Sequence, residues 1–234
     1  MKERTYSVLL DSIEKQLRRG ELKIGDRLPG ERALSQRFGI SRASVREGLQ
    51  ALTTVGLVRS SVGSGPKAGA IVISEPSEAL SWALKMHIAT KTLPVKDVVG
   101  TRILLEGQAA KDAAAGQDSP QRQATLARAA DYLTEMDQPD ISDERFHFCD
   151  TRFHFEVSSL GNNLALETVI DALHLATISY VEDAVPHLEN WAATKKTLQD
   201  QHRKILHAVE GHCPQTAQEA VSEHILWFYE LIKS

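Results

Sequence analysis

The sequence predicts a mainly α-helical protein in two parts, an N-terminal winged helix-turn-helix followed by an all-helical bundle. Three observations support this fold class. Two amphipathic segments meet at a glycine turn near residue 39, and two apolar segments flank a glycine-rich turn between residues 57 and 72. Beyond residue 78 the pattern is helical throughout. We expect the winged helix at 1–74, a linker at 75–78, where Pro76 interrupts a polar stretch, and the bundle at 79–234.

The first predicted helix has an apolar stripe and ends at Gly20. The stripe consists of Tyr6, Leu9, Leu10, Ile13 and Leu17. A shorter helix is expected at 31–38, and a turn at Gly39 separates it from a third helix. Ser41 is a favoured N-cap residue for that third helix, and Ile40 and Val45 have the spacing of a hydrophobic staple.

The third helix has two distinct faces. Val45, Leu49 and Leu52 form a buried stripe, while Arg42 and Arg46 lie four residues apart on another face. A helix-turn-helix would present this second face to the DNA major groove, where arginine can bind guanine through two hydrogen bonds. The alternative is an ordinary helical hairpin with solvated arginines.

A small β-hairpin is predicted after the helices. Its strands are Leu57-Val58-Arg59 and Ala70-Ile71-Val72, on either side of Gly63-Ser64-Gly65-Pro66. Such a hairpin is typical of a wing, and its glycines would let the backbone approach phosphate closely. This second feature favours DNA binding over the helical hairpin.

These motifs resemble the GntR family of bacterial winged-helix transcription regulators. The resemblance rests on Leu28-Pro29-x-Glu31-Arg32, Gly39-Ile40-Ser41-Arg42-x-x-Val45-Arg46 and Gly56-Leu57-Val58. It implies DNA contacts from Arg32, Ser41, Arg42, Ser44, Arg46 and Gly63. Val62 and Ala43 depart from the family pattern, because neither side chain can donate a hydrogen bond, and this leaves the operator sequence open.

The distribution of charge agrees with a DNA-binding first part. Residues 1–75 contain 13 Lys and Arg against 8 Asp and Glu, a net charge of +5, whereas the remainder contains 14 against 23, a net charge of −9. The two cysteines do not make a disulfide scaffold, and no run approaches the ~18 apolar residues of a membrane span. We therefore expect a soluble, cytoplasmic protein.

The sequence pattern of the second part predicts seven helices, which are separated by breaks that contain proline or glycine. They are expected at 78–90, 95–115, 119–136, 142–160, 163–185, 189–210 and 214–233.

Four residues in the bundle are candidate metal ligands. Asp150 and His154 lie four residues apart on one helix face, and His202 and His224 each fall on the apolar stripe of a later helix. Three imidazoles and one carboxylate suit Zn²⁺ first, with Ni²⁺, Co²⁺ or Mn²⁺ also possible. A buried histidine taken singly is more often a core residue than a ligand, and Asp143 and His147 have the same spacing as the first pair.

This half resembles the ligand-sensing FCD domain of the FadR-type branch of the GntR family. The motifs are Arg102-x-x-x-Glu106, Asp150-x-x-Phe153-His154, Gly161-Asn162-Asn163 and the two late histidines. The resemblance favours Asp150 and His154 over the other pair and implies one divalent metal per chain. The remaining histidines, His87, His174, His187, His207 and His212, are interpreted as structural or surface residues.

The resemblance also implies a small carboxylate effector, such as lactate or another hydroxy acid, or a sugar acid. Arg102 is the candidate for binding its carboxylate, although an ordinary surface pair with Glu106 is equally consistent with the spacing. Asn163 could add a hydrogen bond. The family further implies a homodimer on a two-fold symmetric double-stranded DNA operator, usually as a repressor, and no enzymatic activity.

Three alternatives remain open from the sequence. A metal sensor would respond to the ion itself, and a metal-dependent hydrolase would use the ion to activate water. An acyl-CoA sensor would need a long pocket and no metal. A general base is not evident in the sequence, which disfavours the hydrolase.

Overall fold

The computed structural model describes residues 5–61 and 69–233, and it confirms the predicted fold class. The chain divides between Leu80 and Ser81 into two compact units, here called unit 1 and unit 2. The described residues form α1 (Ser7–Arg18), α2 (Glu31–Phe38), α3 (Arg42–Thr54), β1 (Val58–Ser61), β2 (Gly69–Val72), α4 (Pro76–Ala89), α5 (Val95–Ala115), α6 (Pro120–Met136), α7 (Asp143–Ser159), α8 (Leu164–Ala184), a 3-10 helix (Val185–His187), α9 (Trp191–Glu210) and α10 (Pro214–Ile232).

The turn between α2 and α3 forms for local reasons. Gly39 ends α2 with a φ of 65°, a left-handed conformation that favours glycine. The Ser41 hydroxyl then accepts a hydrogen bond from the Ser44 backbone N–H at 3.0 Å, which caps α3. Leu34 and Val45 are buried in one apolar core, so the core fixes the angle between the two helices.

The predicted hairpin is present. Strand β1 pairs antiparallel with β2, with Val58 opposite Val72, and Arg27 forms an isolated bridge to Ile71. The Leu28 N–H also donates to the Ala70 carbonyl at 2.8 Å, so the segment before α2 extends the sheet. Residues 62–68, which include the predicted DNA-contacting Gly63 and the departure at Val62, lie outside the described residues.

Gly56 is expected to be essential for the stability of unit 1. Its φ is +71°, and a Cβ atom would lie 2.3 Å from the backbone oxygen of Glu75. Gly56→Ala should therefore add backbone strain of about 1–3 kcal/mol and displace that carbonyl as well. Hydrogen exchange of the α1–α3 amides measures the loss. Gly20→Ala is the matched control, because Gly20 has a φ of +68° and no atom of the described residues lies within 4 Å of the added atom. Equal effects of the two substitutions would contradict the predicted contact.

Helix α4 begins earlier than expected. Its first residue is Pro76, so three of the four residues predicted to form a linker at 75–78 lie in its first turn. Proline suits this position because the first helical N–H groups have no intrahelical acceptor. The break in the pattern at Pro76 therefore marks a helix start.

The seven helices predicted after the hairpin are present as α4 to α10, with ends within two residues of the predicted ones, and α5 to α10 lie wholly in unit 2. Side-chain caps fix the starts of four of these helices. In each, the cap residue accepts a hydrogen bond from the backbone N–H three residues later; the cap residues are Ser119, Ser142, Asn163 and Asn190. The core is apolar and its largest fully buried side chains include Phe146 and Phe153 of α7.

One stretch of the bundle is more hydrophobic than expected. The stretch Leu164–His187 is long and apolar enough to cross a membrane by length and composition, although no such run was expected. In the structure it packs within unit 2, and its His174 is buried and hydrogen bonded to Glu106 of α5. A core helix of a folded domain meets the same two criteria, so this stretch is weak evidence for a membrane span.

Candidate metal centre and nucleic-acid interface

The four predicted metal ligands meet inside unit 2. Helix α7 supplies Asp150 and His154, one turn apart, while α9 supplies His202 and α10 supplies His224. One ligand-type atom from each residue lies within 4.8 Å of the others. The helical spacing and the three apolar stripes thus converge at one point.

The imidazoles of His202 and His224 are held in the form that binds metals. Burial lowers the pKa of His202 and lowers the pKa of His224 well below its ordinary value, and the neighbouring histidines lower the pKa of His224 further. Both rings are therefore neutral at pH 7, and each has one nitrogen lone pair available.

Acceptor oxygens behind the cluster orient two of these lone pairs. His154 Nδ1 lies 3.1 Å from Glu106 Oε2, and His224 Nδ1 lies 2.9 Å from Gln201 Oε1. Both oxygens are acceptors, so each Nδ1 carries the proton and each Nε2 carries a lone pair. The two Nε2 atoms face each other at 3.1 Å. Two lone pairs at this distance repel each other, and a cation bound by both would remove the repulsion.

The buried ring of His202 gives independent support for a metal site. Its side chain is 0 % exposed, and neither ring nitrogen has a hydrogen-bond partner among the described residues. Its Nε2 lies 3.1 Å from Asp150 Oδ1. A metal–ligand distance of about 2.0–2.1 Å separates neighbouring ligand atoms by roughly 2.8–3.4 Å. Both 3.1 Å separations fit this range, so the residues present fit a metal ion.

Asp150 connects the cluster to a cavity. Burial disfavours its charged form, but the facing His202, with His154 and His224, holds the pKa of the carboxyl well below its ordinary value. Its side chain remains 25 % exposed. The cavity beside it has a volume of about 70 Å³ and is lined by residues of unit 2. At about 10–15 Å³ per water, this space accommodates roughly five to seven water-sized groups.

The structure distinguishes the two acid–histidine pairs of α7. Asp143 accepts hydrogen bonds from Trp191 Nε1 at 2.8 Å and Lys195 Nζ at 3.1 Å, away from the four-residue cluster. His147 stacks on Trp191, with 5.6 Å between the ring centroids. Asp150 and His154 are therefore the pair that meets His202 and His224.

Arg102, the predicted carboxylate-binding residue, lines the same cavity. Its Nε donates to Glu106 Oε1 at 2.7 Å, so the pair with Glu106 that the spacing allows does form. The pair is not at the surface, because the Glu106 side chain is only 2 % exposed. The Nη2 atom of Arg102 also lies 2.9 Å from His174 Nε2. The guanidinium thus lies in the cavity wall.

Sequence reasoning missed two parts of this site. Gln201 had no role assigned, and His174 was interpreted as structural or surface, yet His174 lines the cavity and its Nε2 lies 2.9 Å from Glu106 Oε2. The spacing of Ile170, His174 and Thr177 on the buried face of α8 could have indicated an inward-facing histidine.

Asn163, which the resemblance implies as an effector contact, caps a helix in the structure. Its Oδ1 accepts a hydrogen bond from the Leu166 N–H at 3.1 Å and caps α8, and it is not among the residues that line the cavity. An asparagine before a helix is a favoured N-cap. We therefore leave Asn163 out of the effector site.

In unit 1, the predicted DNA-contacting residues that the structure describes lie at the start of α2 and α3. Arg32, Ser41, Arg42 and Arg46 are exposed, and Ser44 is partly buried. This arrangement leaves the basic face of α3 accessible to a nucleic acid.

Glu31 holds two of these arginines. Arg46 Nε lies 2.9 and 2.8 Å from its two carboxylate oxygens, and Arg42 Nη2 lies 3.9 Å from Oε2. This hydrogen bond raises the pKa of Arg46, which stays charged. Glu31 therefore orients the two guanidinium groups side by side on the exposed face.

Comparisons with known proteins cover both units. Residues 5–67 match the model of bacterial regulatory proteins of the gntR family, and residues 97–226 match the FCD domain. The chain is 31% identical over 213 residues to the HTH-type transcriptional regulator LutR of Bacillus subtilis, with 89% of this chain and 92% of LutR covered. It is 27% identical over 230 residues to the Glc operon transcriptional activator of Escherichia coli, with 93% and 85% covered.

The solved structure of Streptococcus agalactiae GntR has the same fold, with a TM-score of 0.62 at 19% identity, covering 98% of this chain and 99% of the other. The family models and the relatives are all transcription regulators and not enzymes. The chain therefore belongs to the GntR family and is a DNA-binding transcription regulator with an FCD effector-binding domain.

Proposed function

We propose that this regulator is a cytoplasmic homodimer, acting as a repressor, whose affinity for a two-fold symmetric operator is controlled by a small carboxylate bound beside a divalent metal. Asp150, His154, His202 and His224 would hold the metal, with Zn²⁺ preferred and Ni²⁺, Co²⁺ or Mn²⁺ as alternatives. The observation that carries the proposal is the convergence of one ligand-type atom from each of these four residues to within 4.8 Å, with the Nε2 atoms of His154 and His224 3.1 Å apart.

The cavity supports a small carboxylate as the effector. A bound metal supplies a Lewis acid for one oxygen of the ligand, and Arg102 in the cavity wall offers a guanidinium to a carboxylate. The volume of about 70 Å³ favours a short hydroxy acid such as lactate over a sugar acid or a long acyl chain. Binding would change operator affinity by the coupling free energy between the two sites.

Elemental analysis combined with operator binding tests the proposal. We expect about one transition metal per purified chain, and operator affinity that changes when lactate or a related hydroxy acid is added to the metal-loaded protein. Operator affinity that follows free metal and ignores carboxylates would show a metal sensor instead. A chain that binds no metal after reloading would refute the metal site and turn the search to metal-free ligands.

The proposed DNA interface has its own test. Arg42→Ala should weaken binding of the preferred operator by about 1–3 kcal/mol and relax the base preference at one position, because the arginine lies on the exposed face of α3. Arg37→Ala is the control, since Arg37 is also exposed but lies in the last turn of α2. Fluorescence anisotropy with an operator and its single-base variants measures both. A uniform loss across all sequences would make Arg42 a phosphate contact.

A further inference from the structure

We infer that Glu106 is a positioning residue that couples the cavity guanidinium of Arg102 to the metal ligand His154. The inference rests on the proposed metal site and adds a physical link between that site and the place where a carboxylate would bind. The link is a chain of contacts within unit 2, from α5 to α7.

The two oxygens of Glu106 contact different partners. Oε1 accepts from Arg102 Nε at 2.7 Å, while Oε2 lies 3.1 Å from His154 Nδ1 and 2.9 Å from His174 Nε2. A planar carboxylate cannot rotate to improve one of these contacts without weakening the others. The position of Arg102 therefore sets the position of the oxygen that orients the His154 ring.

Glu106, His154 and His174 also have the spacing of a second metal site, since their ligand-type atoms lie within 4.8 Å of one another. The guanidinium argues against a cation there, because Arg102 Nη2 lies 2.9 Å from His174 Nε2. His154 Nδ1 would also have to lose its proton. The geometry therefore favours a carboxylate that orients one metal ligand over a carboxylate that binds a second ion.

Glu106 is buried but has a cationic partner, because Arg102 Nε lies 2.7 Å from its Oε1. A carboxylate behind a histidine ligand fixes the ring and raises the basicity of the ligating nitrogen. A ligand that binds Arg102 would weaken the hydrogen bond from Arg102 to Glu106. Because Glu106 orients His154, the affinity for the metal would change as well. By thermodynamic linkage, the bound metal would change the affinity for that ligand by the same factor.

The experiment compares Co²⁺ affinity and the Co²⁺ visible spectrum in the full chain. Glu106→Gln keeps the size of the side chain but cannot accept from Arg102 with one terminal atom and from His154 with the other, so we expect Kd for Co²⁺ to rise about 10–100-fold and the d–d bands to shift. Glu156→Gln is the matched control. Glu156 is also buried and paired with Arg128 and Arg152, but it does not line the cavity, and we expect no change in affinity or spectrum.

A double-mutant cycle tests the coupling itself. Arg102→Gln should change Kd for Co²⁺ at least about threefold in the wild-type background and clearly less in the E106Q background. Equal changes in both backgrounds would show that Arg102 acts on the metal through space, and this would overturn the inference. If E106Q does not fold, R102Q decides the matter, because an unchanged Kd and spectrum in that variant would also overturn it.

The outcome separates this inference from the proposed function. A wild-type chain that binds no Co²⁺ refutes the metal site and the inference together. A wild-type chain that binds Co²⁺, with E106Q identical to it, refutes only the coupling role of Glu106.

Discussion

Replacing His202 and His224 together with alanine is expected to abolish stoichiometric metal binding. The two residues provide half of the ligand set, from α9 and α10, and the loss should exceed the roughly 100-fold that removal of an outer partner can cost. Metal at 100 times Kd stabilises the wild-type fold by about 2.7 kcal/mol. The variant should show no such metal-dependent gain in thermal stability. Inductively coupled plasma mass spectrometry and thermal melts with added Zn²⁺ measure both effects.

The control for this pair uses two exposed histidines. His187 and His207 lie outside the cluster, and His207 shares helix α9 with His202. The H187A, H207A variant should retain one metal per chain and the metal-dependent rise in melting temperature. Retention of the metal by H202A, H224A would refute the proposed ligand set.

Phe153→Ala is expected to cause a large loss of stability in unit 2. The side chain is fully buried in the core cluster, and truncating a buried phenylalanine costs about 3–5 kcal/mol. The same ring packs against His202, with 4.9 Å between ring centroids, and against the neighbouring His154 at 5.6 Å. The cavity left behind should therefore loosen two proposed ligands and weaken metal binding as well.

Urea denaturation followed by tryptophan fluorescence measures this loss, because all three tryptophans lie in unit 2. Phe148→Ala is the control on the same helix, since Phe148 is 46% exposed and should cost no more than about 1 kcal/mol. If the two variants lost equal stability, Phe153 would not be the packing support of the cluster.

The fold class and most helix ends follow from the amino-acid sequence, because both depend on local chemistry. Gly39 supplies the left-handed turn and Ser41 the cap of α3, and a side-chain cap likewise precedes α6 and α7. Helical spacing also assigned Asp150 and His154 to one face of α7. These features involve residues a few positions apart, where backbone geometry fixes which groups can meet.

Contacts between residues of different helices could not be predicted in this way, because they depend on how the helices pack. Spacing within α7 does not distinguish Asp143 from Asp150 as a metal ligand, because the difference depends on α9. Trp191 and Lys195 of α9 donate hydrogen bonds to Asp143, whereas His202 of the same helix faces Asp150. The roles of Glu106 and His174 were hidden for the same reason. They lie 68 residues apart, and their contact exists only because α5 and α8 pack together around a buried charge that must be satisfied.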